Sequence, residues 1–244
     1  MRPRTVLGLL PADLARLARD ELLAWMPAVP VIMALAVRLG ASPVLAALGL
    51  RAELAQEWSA RIDVTAFGIV VPVLIGTVVG FMLLGEKEDR VWDALAVTPV
   101  SLRGYLAWRA AGASLVAVGA CAMCLRIGGL NDLGIARVCG VALAAAPLAG
   151  ATALGLACWT TDTVQGFAAV KLSLVVLILP AVLPGAGIGG WLLAVVPSWW
   201  PARAYREFAA GNASAPAWAA GSILVCGAVA GTALRRITRH GAPR

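Results

Sequence analysis

The chain alternates long apolar runs with short polar ones. A hydrocarbon core about 30 Å thick takes roughly 20 residues of helix, and six of the runs reach that scale. They predict spans at Leu22–Leu39, Val64–Leu84, Gly104–Leu125, Val138–Trp159, Val164–Leu183 and Ala217–Leu234. Ahead of them, Leu7, Leu10, Leu14 and Leu17 recur at helical spacing, with Asp13, Arg16, Arg19 and Asp20 on the other side. Residues 1–21 therefore read as an amphipathic helix in the headgroup layer. Residues 22–244 read as one all-α integral membrane domain.

Two connections break the pattern. Between the second and third spans, six charges fall in eight residues, Glu86 to Asp93. Glu86–Val97 predicts a helix with Glu86, Asp89, Arg90 and Asp93 on one side and Val91, Trp92 and Leu95 on the other. Glu86 and Arg90 form an i,i+4 pair in the favourable order. Pro99 ends the helix by pushing residue 98 out of the α region, and Ser101 is placed to cap the third span. Between the fifth and sixth spans, residues 185–211 begin with glycines and hold an apolar piece too short to cross, Trp191–Val196. Trp199, Trp200 and Arg203 follow between and after Pro197 and Pro201. That pattern predicts a re-entrant segment with an interfacial tryptophan anchor.

Composition agrees with the pattern. Of the 244 residues, 61% are hydrophobic and 14% charged, against about half and about a quarter in a soluble domain. With both termini placed in the cytoplasm, 13 of the 20 Lys and Arg residues fall on the inner side. The net charge of +7 then suits anionic inner-leaflet lipid, and nothing asks for nucleic acid.

The chemistry inventory excludes more than it offers. No G-x-x-x-x-G-K-[ST] or H-E-x-x-H occurs, and the one histidine, His240, sits in a basic tail. No metal-ligand cluster is apparent, and no predicted span holds an Asp or Glu, which argues against a proton-relay carrier. Cys121 and Cys124 read as small residues packing in a span. The G-x-x-x-G pairs Gly76/Gly80 and Gly227/Gly231 read as helix packing within the bundle. Lys171 lies inside the fifth span, where its stem can snorkel. No residue is marked as binding a cargo.

"EKEDRVWDALAVTPVSLRGYL" resembles the segment between the second and third spans of ABC-2-type transporter permeases. Those show an acid-basic cluster, a Gly-Thr-Leu-Glu-like turn, then Leu-Leu-Val-Thr-Pro-Val-Ser. Here Asp93 stands at the Glu, Trp92 at the Leu, and Leu95, Val97, Thr98, Pro99 and Ser101 match. Arg90 and Val91 replace the Gly-Thr pair. "PSWWPARAY" is similar to the equivalent region of drug-export permeases, particularly fluoroquinolone exporters. The resemblance implies an ABC-2 (type V exporter) permease fold. It further implies two permease subunits, identical or paralogous, and separate ATPase subunits that hold ATP and Mg2+, with no cofactor on this chain. It makes 86–97 a coupling helix seated in the ATPase through Glu86, Glu88, Asp89, Arg90, Trp92, Asp93, Leu95, Thr98 and Pro99. The spans, apolar and small, suit a hydrophobic or amphipathic cargo such as a drug or lipid. The alternative class is a six-span immunity or sensor protein that moves nothing.

Overall fold

The computed structural model describes residues 28–49, 51–96, 101–183 and 188–240. The amphipathic helix expected over 1–21 and the connection holding Thr98 and Pro99 lie outside them. Six described helices are long and apolar enough to cross a bilayer: span 1 Val29–Ala47, span 2 Ala52–Glu88, span 3 Leu102–Gly128, span 4 Ile135–Trp159, span 5 Thr163–Val182 and span 6 Ala215–Arg239. No strand occurs among the described residues. Span 4 is the centre, packed on spans 2, 3 and 6, while span 1 rests on span 3. Spans 1 and 5 bury the least of the six.

Each predicted span has its counterpart, with two displaced bounds. Span 1 continues past Leu39 to Ala47. Span 2 begins at Ala52, well before Val64, because Ala52–Asp63 is rich in good helix formers. An i,i+4 pair, Glu57 with Arg61 at 2.5 Å, supports that extension.

Span 2 is not uniform. Val64–Val70 is a π-helix between two α-helical parts. Pro72 gives a local reason: it has no N–H for the carbonyl of Gly68, and its ring crowds that carbonyl. Widening the preceding turn relieves both. Span 4 carries a similar joint at Ala146, directly before Pro147.

The two glycine pairs behave differently. A Cβ at Gly76 would collide with the Ala149 carbonyl, and one at Gly80 would meet Leu156 at 2.9 Å. Spans 2 and 4 thus touch through bare backbone, as small residues in a membrane allow. Gly227 and Gly231 have nothing within 4 Å of such a Cβ, so this pair does not pack within the bundle. Cys121 and Cys124 are both buried and free, and the Cys124 thiol faces the Pro30 carbonyl. Lys171 is exposed on span 5.

The segment before span 6 forms a short helix, Ile188–Leu192, a 3₁₀ turn, Leu193–Val195, and a helix, Trp199–Ala210. The last of these packs against span 6, span 4 and the π-helix, so it is a built part of the bundle. It ends at Gly211, whose φ of 73° supplies the left-handed cap.

Candidate functional site

The charged run after the second apolar stretch divides in two. Span 2 continues through Glu88, a turn occupies Asp89 and Arg90, and a separate helix covers Val91–Ala96. The continuous helix expected from Glu86 to Val97 is therefore broken. Arg90 sits at φ 55°, the left-handed region that L-residues with a Cβ rarely enter. This is the position where the resembled pattern carries glycine, and Arg90 adopts the conformation that a glycine takes there without strain. The Glu86–Arg90 pair does not form, because the turn separates their faces and Glu86 faces inward.

Glu86, Lys87 and Glu88 each hold a different span. Glu86 is 3% exposed and pairs with Arg109 of span 3. Tyr105, on the same span, donates its hydroxyl to Glu86 Oε1 at 2.8 Å. Arg109 Nε also donates to that hydroxyl at 3.0 Å. Lys87 Nζ donates to the carbonyls of Thr160 at 2.9 Å and Ala157 at 3.4 Å, at the C-terminus of span 4. Glu88 accepts from the backbone N–H of Thr163 at 2.9 Å and its hydroxyl at 3.1 Å, at the N-terminus of span 5. Asp162 caps that same terminus through Gln165 N–H at 2.9 Å. The signs match the helix dipoles: a cation on a C-terminus, acids on an N-terminus, each worth about 0.3–1 kcal/mol where exposed.

The short helix turns Asp93 and Ala94 outward. Trp92 and Leu95 are half-buried against the cluster formed by Leu83, Tyr105 and Leu106. Lys87 Nζ lies 6.0 Å from the Trp92 ring centroid. The apolar face expected to be free for a partner is thus partly covered by the chain's own spans. Asp89 is exposed beside it. Ser101 caps span 3 as its position predicts, accepting from Gly104 N–H at 3.2 Å.

At the opposite end of the bundle a second polar group was not read from the sequence. Asp63 is 0% exposed. Its carboxylate accepts from Leu130 N–H at 2.8 Å, Asn131 N–H at 3.1 Å, Asn131 Nδ2 at 2.9 Å and the Tyr205 hydroxyl at 2.9 Å. These bonds tie span 2 to the loop after span 3 and to the Trp199–Ala210 helix. Burial, then the carboxylate of Asp63, push the Tyr205 hydroxyl pKa well above its ordinary value. The expectation that no span holds an acid fails at span 2, which extends beyond its charge-free stretch at both ends and takes in Glu53, Glu57, Asp63, Glu86 and Glu88, of which Asp63 and Glu86 are buried. The available signal was that the two buried acids directly flank that stretch.

Trp199 is buried and does not stand at the bundle surface, where an interfacial anchor belongs. It lies among Trp191, Trp200 and Trp218, with centroids 5.3–5.8 Å away. Trp191, 62% exposed, presents the outward indole of that group. Trp200 Nε1 donates to the Ala194 carbonyl at 3.1 Å. Arg203 pairs with Glu207 at 2.8 Å and lies 5.3 Å from the Trp218 centroid. Glu207 also accepts from Asn212 at 2.8 Å and Ser214 at 3.0 Å. The Asn212 bond leads in holding the Glu207 pKa below its ordinary 4.5, burial opposes it, and Ser214 and Arg203 add to the lowering.

Among the described residues, no group of His, Cys, Asp and Glu is placed to hold a metal. Six helices long and apolar enough to cross a bilayer, with Glu86 of span 2 buried against span 3, are the architecture of a multi-pass membrane protein. The family model described as fluoroquinolones export permease protein Rv2686c-like matches residues 13–234, and the chain belongs to that family. Neither a curated protein nor a solved structure matches the chain.

Proposed function

We propose that this export permease is the membrane subunit of an ATP-driven exporter, with ATP and Mg2+ bound by a separate ATPase. The observation that carries the reading is the Glu86–Lys87–Glu88 tail. It fastens three spans and leads, through the Arg90 turn, into a short helix with Asp93 and Ala94 exposed. A push on that helix reaches spans 3, 4 and 5 at once. Asp89, Asp93 and Ala94 would meet the ATPase, while Trp92 and Leu95 seat the helix on the bundle. Acids facing anionic lipid would be repelled, which favours a basic protein partner over the headgroups.

Two permease subunits, identical or paralogous, complete the assembly in this reading, in the ABC-2 (type V exporter) arrangement. In this reading both termini, and the Glu86 end, lie in the cytoplasm, which the bias of Lys and Arg supports. The cargo is a hydrophobic or amphipathic compound, fluoroquinolones being the one that the family description names. Copurification from the native membrane tests this. The tagged chain should retain a P-loop ATPase, and the exposed-face variant Asp93→Lys should lose it while still inserting. A chain that retains no ATPase ends the reading.

A further inference from the structure

Spans 4 and 5 are joined at the Glu86 end by the Thr160–Asp162 turn and separate beyond it. At the far end Arg206 donates to the Pro180 carbonyl at 2.8 Å and Arg61 to the Val182 carbonyl at 3.2 Å. Ser198 Oγ donates to the Leu177 carbonyl at 2.6 Å. Span 5 is thus fastened by polar groups near its ends, with little buried surface along its length. Between the two spans lies a cleft of about 570 Å³. Ala151, Leu156 and Trp159 line one side and Val170, Ser173 and Val176 the other, with Val195–Pro197 across the far end.

Among the described residues, no charged one lines this space. Its hydroxyls are already engaged: Thr152 donates to Leu148 at 2.8 Å, Thr160 to Leu156 at 2.7 Å and Ser173 to Val170 at 3.0 Å, all carbonyls of their own helices. Water needs two to four polar partners and finds few here. An empty apolar cleft forfeits dispersion contacts, so an apolar occupant is favoured. The volume falls within the roughly 300–1,000 Å³ of small-molecule sites. Trp159, Leu172 and Val195 line the mouth and are 58%, 71% and 86% exposed, so the opening faces the bilayer side of the helices. A lipid would need a wet or charged place for its headgroup, and no charged residue is among the described residues that line the cleft. A compact uncharged aromatic or apolar body needs none.

We propose that the cleft between spans 4 and 5 is a cargo site for such a body, entered from the bilayer, with span 5 as its movable wall. Naming the occupant as cargo rests on the export reading above. Lys87 and Glu88 hold the joint of the two spans, so motion of the Val91–Ala96 helix changes the cleft directly.

The test uses the purified full chain in nanodiscs and the photoprobe 3-trifluoromethyl-3-phenyldiazirine, with labelled residues mapped by mass spectrometry. Labelling at Trp159, Leu172 and Val176 should saturate and be displaced by excess non-photoreactive analogue. Labelling at the outward Leu115 should do neither. Ser173→Trp, and independently the more exposed Val176→Phe, should cut the displaceable signal about tenfold or more by filling the space. Glu88→Ala touches no lining atom and should shift that signal about twofold or more if the joint sets the width of the cleft. Labelling that never saturates, or filled variants that label like the wild type, would overturn the site. So would native mass spectrometry showing a retained lipid that the analogue does not displace. The site and the export reading fail separately: displaceable labelling without a copurifying ATPase leaves the site standing. An ATPase on a chain with only non-saturating labelling leaves only the export reading.

Discussion

The Tyr205 hydroxyl donates to Asp63 Oδ2 at 2.9 Å across 142 positions of sequence. The chain's other tyrosine, Tyr105, does the same to Glu86 at the opposite end of span 2. Span 2 therefore carries a buried carboxylate on either side of its charge-free stretch, and each is bound by a tyrosine from a different element. Buried polar groups in an apolar bundle are costly unless paired, so both ends of span 2 are fixed in register with their neighbours.

Tyr205→Phe removes one of several bonds to a buried carboxylate. The loss should be about 1.5–3 kcal/mol. Thermal unfolding of the detergent-solubilised chain should show a lower Tm, and limited proteolysis should cut first at the 199–214 corner.

Glu86 and Arg109 form a buried ion pair, and loss of either partner removes the attraction that offsets the desolvation of the other. Glu86→Gln or Arg109→Met alone should each cost about 3–5 kcal/mol, and the double variant less than their sum. A double-mutant cycle on unfolding midpoints measures the difference. Additive losses would place the energy elsewhere.

Arg90→Gly should stabilise the turn by up to about 1 kcal/mol, because glycine enters the left-handed region without a Cβ penalty. A Tm at or above the wild type, with ATPase copurification intact, is the expected outcome. A marked drop would assign the Arg90 side chain a contact of its own.

Gly76→Val forces a side chain against the Ala149 backbone and should destabilise by about 1–3 kcal/mol or more. Gly227→Val enters open space and should change the stability of the isolated chain by no more than about 0.5 kcal/mol. Size-exclusion profiles and unfolding midpoints distinguish the two.

The Glu207 pKa lies below its ordinary 4.5 in the folded chain. A carboxylate lowered in this way adds stability that is present above pH 4.5 and is lost as pH falls through the folded value. Acidification from pH 6 to below 4 should therefore lower the Tm of the wild type more than that of Glu207→Gln. Equal slopes would show that the Asn212 and Ser214 bonds do not favour the charged form.

The positions of the spans were legible because a bilayer sets a length that apolar runs either meet or miss. Ser101 as a cap was legible for a similar reason, since a cap depends on the three residues that follow it. The course of Glu86–Ala96 was not. Its charges and spacing allow one helix, and only the packing of Glu86 onto Tyr105 and Arg109 extends span 2 through Glu88 and forces the turn at Arg90. The burial of Asp63 and of Trp199 was not legible for the same reason. Both look like surface residues until Asn131, Tyr205 and the tryptophans of distant segments close over them.

The sequence by itself determined that this chain carries six segments long and apolar enough to cross a membrane and a charged, proline-ended stretch after the second of them. Those are properties of local composition and periodicity, which each segment shows alone. The tertiary structure decided which charges are buried, which glycines meet a neighbour, and where spans 4 and 5 leave room. Each of those depends on what a remote segment places alongside, and a desolvated charge is stable only where that segment supplies its partner.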